Sequence, residues 1–174
     1  MKKEVILLEN LDLYPLNSEE LSLWLNDIST LEKTINCFYN GHKITEELRD
    51  YIYSQLIIGL SEPEENWIWY TYWFIVRKTD NTIIGTLSFK GKPNINDEIE
   101  IGYALNKEYE NHGYMTEALR GLCQWIKENT DIKAIIAETK LDNKKSQNLL
   151  KRCKFKPYKE TDYSLSFKLN IISA

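Results

Sequence analysis

The stretch EIGYALNKEYENHGYMTEAL, residues 100–119, changes from a strand pattern to a helix pattern across a short loop. Apolar and polar residues alternate through residues 97–105, whereas apolar residues recur at helical spacing through residues 114–129. The loop would aim the free N–H groups of the helix start, and the positive end of the helix dipole, at one spot that suits a phosphate. Gly113 would permit close backbone approach there. A glycine before a helix is also common in ordinary turns, so this stretch alone leaves both interpretations open.

The composition is that of a folded, acidic protein. Of the 174 residues, 43% are hydrophobic and 28% are charged, with a net charge of −4 and a pI near 5.4. General nucleic-acid binding depends on a basic surface, so we expect no nucleic-acid partner. No segment approaches the roughly 20 apolar residues that span a membrane. Glu9 also interrupts the N-terminus before a signal-peptide core develops, so we expect no membrane partner.

The three cysteines, Cys37, Cys123 and Cys153, are far apart and form no CxxC pair. They suggest no disulfide framework. Reduced thiols of this kind favour a cytoplasmic location, with the cysteines buried as small apolar residues. We expect no metal.

The order of patterns along the chain is β-α-α-β-β-β-α-β-α-β-β. No repeat, low-complexity run or linker interrupts it, so we expect one domain over residues 1–174. The strand–helix–strand unit in the middle makes its two strands parallel. The fold class is therefore α/β (α+β), with a mixed sheet of about seven strands and helices on both faces. The predicted strands are 8–17, 67–78, 82–91, 97–105, 132–139 and two runs after residue 154, and the predicted helices are 17–28, 44–60, 114–129 and 143–153.

Three of the predicted helices begin at residues suited to capping. Asn17 and Glu20 have the spacing of a capping box, and Thr45 and Asn143 are natural N-caps. The second helix would then bury one apolar face. The residues predicted on that face are Leu48, Tyr51, Ile52 and Leu56.

Two glutamates, Glu98 and Glu100, share one face of the strand predicted at 97–105. If that face opens to a water-filled cleft, a partly buried Glu100 could act as a general base near neutral pH. If the strand lies at an edge, the glutamates are simply solvated. The residues alone leave both possibilities open.

The helix that begins at Asn143 and Ser146 directly follows the strand at 132–139. In a parallel pair, this helix start lies beside the loop at 106–116, on the carboxyl edge of the sheet. Ligands of open α/β sheets gather at that edge.

In these residues the chain resembles the GNAT acetyltransferase superfamily, and within it the branch of the RimJ and RimL ribosomal-protein N-terminal acetyltransferases. Three stretches carry the likeness: TIIGTLSFKG (82–91), EIGYALNKEYENHGYMTEAL (100–119) and DNKKSQNLLKRCKF (142–155). They correspond, in order and spacing, to the family patterns IGxxxF, EIGYxLxxxYxGKGYATEAL and NxxSxxxLEKxGF. The likeness covers about residues 8–170 and implies a GNAT-type domain with a splayed parallel pair of strands.

The resemblance implies an acyltransferase that uses acetyl-CoA as donor. The CoA pyrophosphate would bind backbone N–H groups of residues 111–116, and the pantetheine would lie along the splayed strand. Asn143 would hydrogen-bond the pantetheine arm, and Ser146 would lie near the thioester sulfur. The cofactor-binding residues implied in this way are Tyr103, Ala104, Leu105, Asn111, His112, Gly113, Tyr114, Met115, Thr116, Asn143 and Ser146.

The implied reaction is direct attack of an amine on the thioester carbonyl. Glu100 matches the strand glutamate of the family and is the first candidate for the base. Glu98 is the second candidate, and a water chain is a third possibility. Many family members use a tyrosine acid at the position of Leu150, so Ser146 or solvent must protonate the thiolate here.

Several residues depart from the family pattern. Glu110 stands where a polar or basic residue is usual, and we expect its side chain to point away from a pyrophosphate. His112 replaces the usual lysine, and we expect it to be exposed. Met115 replaces a small residue, and Lys154 replaces a glycine before the next strand.

Residues 18–72 would form the acceptor wall, where one or two aromatics of the block at 67–73 could line a pocket. The acidic run SEPEE (61–65) favours a cationic acceptor, such as a peptide N-terminus, a polyamine or an aminoglycoside-like amine. A catalytically silent acyl-CoA-binding sensor of the same fold is the alternative function, and a structural protein that binds no CoA is a third. The sequence leaves open whether the protein is a monomer or a homodimer.

Overall fold

The computed structural model describes residues 4–41 and 44–171. Its strands are β1 (Ile6–Leu7), β2 (Leu11–Pro15), β3 (Phe38–Tyr39), β4 (Tyr72–Arg77), β5 (Thr82–Phe89), β6 (Glu98–Leu105), β7 (Ala134–Lys140), β8 (Lys156–Glu160) and β9 (Ser164–Asn170). Its α-helices are α1 (Ser18–Asn26), α2 (Ile28–Ile35), α3 (Glu46–Ser61), α4 (Tyr114–Asn129) and α5 (Lys144–Arg152). Short 3₁₀ helices occupy Glu64–Trp69 and Lys107–Tyr109.

The strands form one mixed sheet. Eight of them follow the order β1-β2-β4-β5-β6-β7-β9-β8, and β3 pairs with β5 beside this path. Neighbouring strands are antiparallel except for the parallel pairs β3–β5 and β6–β7. The predicted mixed sheet and its central parallel pair are therefore confirmed, with nine described strands instead of about seven.

β6 and β7 are paired only along their first halves. Glu98–Ile101 lies beside Ala134–Ala137, and no pairing between the two strands continues beyond that point. β6 continues with β5 as far as Leu105, while β7 continues with β9 as far as Lys140. The two strands therefore separate at Gly102 and leave an opening between their carboxyl ends.

Helices cover both faces of the sheet, and each face has its own apolar cluster. Two neighbouring residues of β4 show this division, because successive side chains of a strand point to opposite faces. Trp73 packs edge-to-face on Trp125 of α4, with ring centroids 5.3 Å apart. Phe74 packs in the same way on Trp24 of α1, at 5.1 Å. All four rings are buried, so β4 joins the two clusters.

Side-chain caps start three helices at the predicted residues. Asn17 and Glu20 form the capping box that their spacing predicts. Thr45 and Asn143 each accept a hydrogen bond from a backbone N–H group in the first turn of their helix. At each of these three helix starts, the capping residue predicted from the sequence makes the capping hydrogen bond.

The face that α3 buries differs in part from the prediction. Ile52 and Leu56 are buried, but Leu48 and Tyr51 are each 39% exposed. The buried stripe begins only after the first turn and passes through Ile52, Gln55, Leu56 and Gly59. Leu48 and Tyr51 precede this stripe and are not part of the buried face.

The helix predicted at 17–28 is wrong at its end. It stops at Asn26, because Asp27 begins the additional helix α2 by accepting the N–H group of Thr30 at 3.1 Å. The prediction also lacked the two-residue strands β1 and β3, which are too short to show an alternating pattern.

The strand predicted at 67–78 begins only at Tyr72. Its first residues belong to the 3₁₀ helix that follows Pro63. The indole N–H of Trp67 donates to the carbonyl oxygen of Leu16 at 2.8 Å, which ties this turn to the end of β2. Aromatic residues favour strands, but here a tertiary hydrogen bond holds one of them in a turn.

The described residues show neither a membrane span nor a disulfide. No helix among them is long and apolar enough to cross a bilayer. Cys37, Cys123 and Cys153 are free thiols, of which Cys153 is buried and the other two are half-buried.

Gly85 fixes how closely β5 approaches β6 beside the opening. A Cβ atom on Gly85 would lie 2.4 Å from the backbone oxygen of Ala104. We expect Gly85→Ala to lower the free energy of unfolding by about 1–3 kcal/mol, because β6 must shift to admit the methyl group. Urea unfolding measures the change.

Gly121→Ala in α4 is the matched control. The atoms nearest to its methyl group would be side-chain atoms of Leu8, which can move. Alanine also favours a helix over glycine by about 1 kcal/mol. We expect this variant to equal or exceed the wild type in stability. A Gly85→Ala variant as stable as Gly121→Ala would contradict the tight contact between β5 and β6.

Candidate active site

The opening between β6 and β7 is a cleft of about 640 Å³. Its walls are the second half of β6, the loop and first turn of α4, the end of β7 and one side of α5 as far as Arg152. The loop at 106–116 and the start of α5 thus share one edge of the sheet. The part of the chain that the structure describes holds no group of three His, Cys, Asp or Glu side chains that could bind a metal ion.

The start of α4 exposes backbone N–H groups to this cleft. Gly113 is the N-cap with φ of 83°, and no side chain caps the helix. The first N–H groups of a helix have no partner within it, and they carry the positive end of the dipole. Asn111 also has positive φ, at 64°, so the chain turns sharply twice before Tyr114. This arrangement suits an anion held by backbone groups.

Glycine is needed at position 113 because of the backbone conformation there, and not because a side chain would lack room. No atom lies within 4 Å of the position that a Cβ atom would occupy there. A side chain at this φ would be strained, so glycine permits the turn that aims the helix start at the cleft.

Two predicted residues near the helix start, His112 and Met115, present little side-chain surface to the cleft. His112 is exposed, with its ring stacked on Tyr114 at a centroid distance of 5.8 Å and its Nδ1 atom 2.8 Å from the carbonyl oxygen of Glu110. Met115 is buried in the apolar cluster under α4. A ligand at this position would therefore meet the backbone of Met115.

An ion pair spans the mouth of the cleft. Lys145, in the first turn of α5, places its Nζ atom 2.7 Å from a carboxylate oxygen of Glu110, in the loop before α4. The Lys145 side chain is 75% exposed, so solvent screens the pair and it contributes little to stability. Both residues line the cleft, and Lys145 neutralises the carboxylate that would otherwise repel an anion.

Tyr103 and Ser146 meet across the cleft. The Tyr103 hydroxyl lies 2.7 Å from Oγ of Ser146, although the two residues belong to β6 and α5. Burial raises the pKa of Tyr103 to about 12, with the hydrogen bond to Ser146 opposing part of that rise. Tyr103 therefore stays a hydroxyl at neutral pH, and the pair can hold and pass on a proton.

Asn143 uses one end of its side-chain amide as a cap. Its Oδ1 atom accepts the N–H group of Ser146 at 3.1 Å. The amide nitrogen is the group that stays available to donate to a ligand. The cap fixes the first turn of α5 and, with it, the position of the Ser146 hydroxyl.

The two candidate glutamates differ in their surroundings. Glu98 accepts from Lys168 at 2.7 Å and from Asn94 at 3.0 Å. The Lys168 ammonium holds the pKa of Glu98 below its usual range, which makes Glu98 a weaker base. Glu98 also lies at the start of β6, at the opposite end of the parallel segment from the cleft.

Glu100 lies nearer to the opening and pairs with Lys90 of the loop after β5. Its side chain is 36% exposed, and Lys90 lines the cleft. By strand alternation, Glu100 points to the α3 side of the sheet and Tyr103 to the α4 side. The Glu100 carboxylate and the Tyr103 hydroxyl can therefore reach a common space only at the opening, where β6 separates from β7.

The remaining predicted residues, Ala104, Leu105 and Thr116, also line the cleft. The sequence analysis missed the four basic residues that also line it: Lys90, Lys140, Lys145 and Arg152. Lys145 stands one position before Ser146 in the first turn of α5, which was the available signal. No local signal marked Lys90 or Arg152, because these residues reach the cleft only through the packing of strands and helices.

The chain belongs to the family described as acetyltransferase (GNAT) domain, whose pattern it matches over residues 10–156. It is 37% identical over 83 residues to an uncharacterized N-acetyltransferase, YjdG, of Bacillus subtilis, covering 48% of this chain and 49% of that protein. It is 27% identical over 83 residues to the ribosomal-protein-serine acetyltransferase of Escherichia coli, covering 48% of this chain and 46% of that protein. The matched segment thus spans about half the length of these curated relatives.

Solved structures show the same fold. The ribosomal-protein-S5-alanine acetyltransferase of Vibrio fischeri superposes with a TM-score of 0.70 and 17% identity, covering 97% of each chain. A RimL ribosomal L7/L12 α-N-protein acetyltransferase in complex with coenzyme A has a TM-score of 0.69 and 18% identity, covering 98% of this chain and all of that one. RimJ- and RimL-type ribosomal-protein acetyltransferases are therefore structural neighbours of this chain.

The pair between Glu110 and Lys145 gives a direct test of the anion site, with acetyl-CoA as the probe. Glu110→Gln removes a negative charge and frees Lys145. We expect the Kd for acetyl-CoA to fall about two- to fivefold at low salt, the effect of about 0.3–1 kcal/mol that a charge has at a helix start. Calorimetric titration measures the affinity, and the gain should shrink as salt rises.

Glu160→Gln in β8 is the control, since it makes the same change at an exposed residue that does not line the cleft. It should leave the affinity unchanged. An affinity of Glu110→Gln no higher than that of Glu160→Gln would contradict an anion site beside this loop.

Proposed function

We propose that residues 1–174 form one acetyl-CoA-dependent N-acetyltransferase domain that acts in the cytoplasm and transfers an acetyl group to a primary amine. The observation that carries this proposal is the cleft itself. It has an uncapped helix start at one end and the hydrogen-bonded hydroxyls of Tyr103 and Ser146 at the other. The coenzyme A in the RimL structure of the same fold supports this choice of donor.

The helix start would bind the pyrophosphate through backbone N–H groups of residues 111–116. The free edge of β6 at Tyr103, Ala104 and Leu105 would take the pantetheine as an added strand, because β7 has left that edge. The side-chain amide of Asn143 would donate to the same arm. Each of these contacts uses backbone or amide groups that the fold already holds in place.

In the reaction, the amine nitrogen attacks the thioester carbonyl carbon and the carbon–sulfur bond breaks. An acceptor that enters as an ammonium gives up one proton before the attack and a second one as the acetyl group stays on its nitrogen. The departing thiolate gains one proton, and the other leaves to solvent. Ser146 would give the thiolate its proton and take one from Tyr103, which would regain its proton from water in the cleft. This pair replaces the tyrosine that many family members carry at the position of Leu150.

Glu100 would take the proton from the amine. In the free protein its carboxylate pairs with Lys90, and an ammonium acceptor has the charge to replace Lys90 there. Glu98 is less suited, because Lys168 and Asn94 occupy its carboxylate. A water chain leading to Glu100 stays compatible with this arrangement.

The acceptor would enter from the α3 side. Two relatives of this chain are described as ribosomal-protein acetyltransferases, which favours a protein N-terminus over a polyamine or an aminoglycoside-like amine. The silent sensor stays the alternative, and the pair of Glu100 with Lys90 is the observation that favours it, because that pair occupies the proposed base.

A screen of amines separates the two functions. Acetyl-CoA binding is measured first, and free CoA release is then followed with peptides of varied N-terminal residue, polyamines and amino-sugars. Release of CoA that depends on the acceptor supports the transferase. Tight acetyl-CoA binding with no release for any amine supports the sensor, and no binding at all overturns both.

Tyr103 and Ser146 should act as one unit. We expect Ser146→Ala and Tyr103→Phe each to lower kcat about 10- to 100-fold with little change in KM for acetyl-CoA, the range of general acid catalysis. Because the hydroxyls share one proton path, the double variant should be little worse than either single variant. Ser22→Ala in α1 is the control, and unchanged turnover in Ser146→Ala would remove Ser146 from the mechanism.

Glu100→Gln tests the base, with Glu98→Gln as a control on the same strand. We expect Glu100→Gln to lower kcat about 100-fold while acetyl-CoA affinity stays the same. Glu98→Gln should keep most of the activity. Equal activity of the two variants would favour the water chain over a dedicated carboxylate.

A further inference from the structure

A shallow groove continues outward from the cleft along α4. It shares Gly113, Thr116 and Arg152 with the cleft and adds Arg120, one helical turn beyond Thr116. Residues of β1 form its other wall. The groove is therefore the outer continuation of the same surface that presents the N–H groups of the α4 start.

Arg120 and Arg152 lie together at this outer end. The guanidinium Nη2 atom of Arg120 donates to the carbonyl oxygen of Arg152 at 3.1 Å. Between them and the helix start lies Cys153, whose Sγ atom is 3.9 Å from the carbonyl oxygen of Thr116. Burial raises the pKa of the Cys153 thiol, and the charges of both arginines act in the opposite direction.

Neither arginine has a carboxylate partner among the ion pairs of the described residues. The nearest acid on α4, Glu117, instead accepts the backbone and side-chain N–H groups of Asn10, at 2.7 and 3.0 Å. Glu128 accepts from a glutamine on its own helix, and Glu9 lies on the far wall. Both exposed arginines thus line the groove, and neither has a carboxylate partner there.

We propose that Arg120 and Arg152 bind the 3′-phosphate of the CoA ribose and so distinguish CoA from its dephosphorylated form. The inference rests on the proposed function. With the pyrophosphate at the helix start, the ribose alone separates it from the 3′-phosphate, and one turn of α4 separates Thr116 from Arg120. A phosphomonoester is close to doubly charged at neutral pH, and guanidinium forks match its oxygens.

The test compares acetyl-CoA with acetyl-dephospho-CoA, which lacks only the 3′-phosphate. Calorimetry on the wild-type chain should give an affinity about 10- to 100-fold higher for acetyl-CoA, the fold-change expected from one or two charge-assisted hydrogen bonds. Arg120→Gln and Arg152→Gln should each bring the ratio of the two affinities closer to one, and they should leave the affinity for acetyl-dephospho-CoA unchanged.

Lys151→Gln is the matched control, because Lys151 precedes Arg152 on α5, is exposed and lines neither the cleft nor the groove. It should keep the wild-type ratio. Melting temperatures of all three variants confirm that they fold, and Arg120→Lys should retain part of the discrimination.

The outcomes separate the two proposals. Equal affinity of the wild type for both ligands overturns the 3′-phosphate site and leaves the transferase standing. Loss of discrimination in Lys151→Gln as well as in the arginine variants overturns the assignment to Arg120 and Arg152. Inorganic phosphate is the probe for a free-phosphate site. If phosphate stabilises the wild type but not Arg120→Gln, while the ratio of the affinities for acetyl-CoA and acetyl-dephospho-CoA stays at one, the arginines bind free phosphate. That result also overturns the 3′-phosphate site. Binding of neither ligand overturns the proposed function together with this inference.

Discussion

The site depends on the early end of pairing between β6 and β7. Each strand keeps its outer neighbour, β5 for β6 and β9 for β7, so the sheet stays intact while its middle opens. Backbone groups beyond Ile101 that a continuous sheet would pair are left to water or to a ligand. The cleft, the free strand edge and the meeting of Tyr103 with Ser146 all follow from this separation.

Sequence reasoning predicted the elements around the cleft because the signals for them are local. The change of period around Gly113 marks the strand, turn and helix, and the cap at Asn143 marks the next helix start, each within a few residues. These signals depend on backbone conformation and on hydrogen bonds to near neighbours. The mixed sheet then followed from the order of the elements.

What the sequence could not provide depends on distant partners. The ion pairs of Glu100 with Lys90 and of Glu110 with Lys145, and the contact of Arg120 with Arg152, are set by how loops and helices pack. The aromatic run at 67–73 was misassigned for the same reason, because a hydrogen bond from Trp67 to the end of β2 overrides its strand preference. Residue type predicted that charges would be present but not which of them would pair.

The alternation of β6 has a kinetic consequence. Glu100 and Tyr103 lie on opposite faces of one strand, so the strand itself separates the proposed acceptor side from the proposed donor side. In the proposed reaction, each substrate has its own entrance and neither blocks the path of the other. This placement would let both substrates bind at once, and the proposed transfer would then take place within a ternary complex without an acetylated form of the protein.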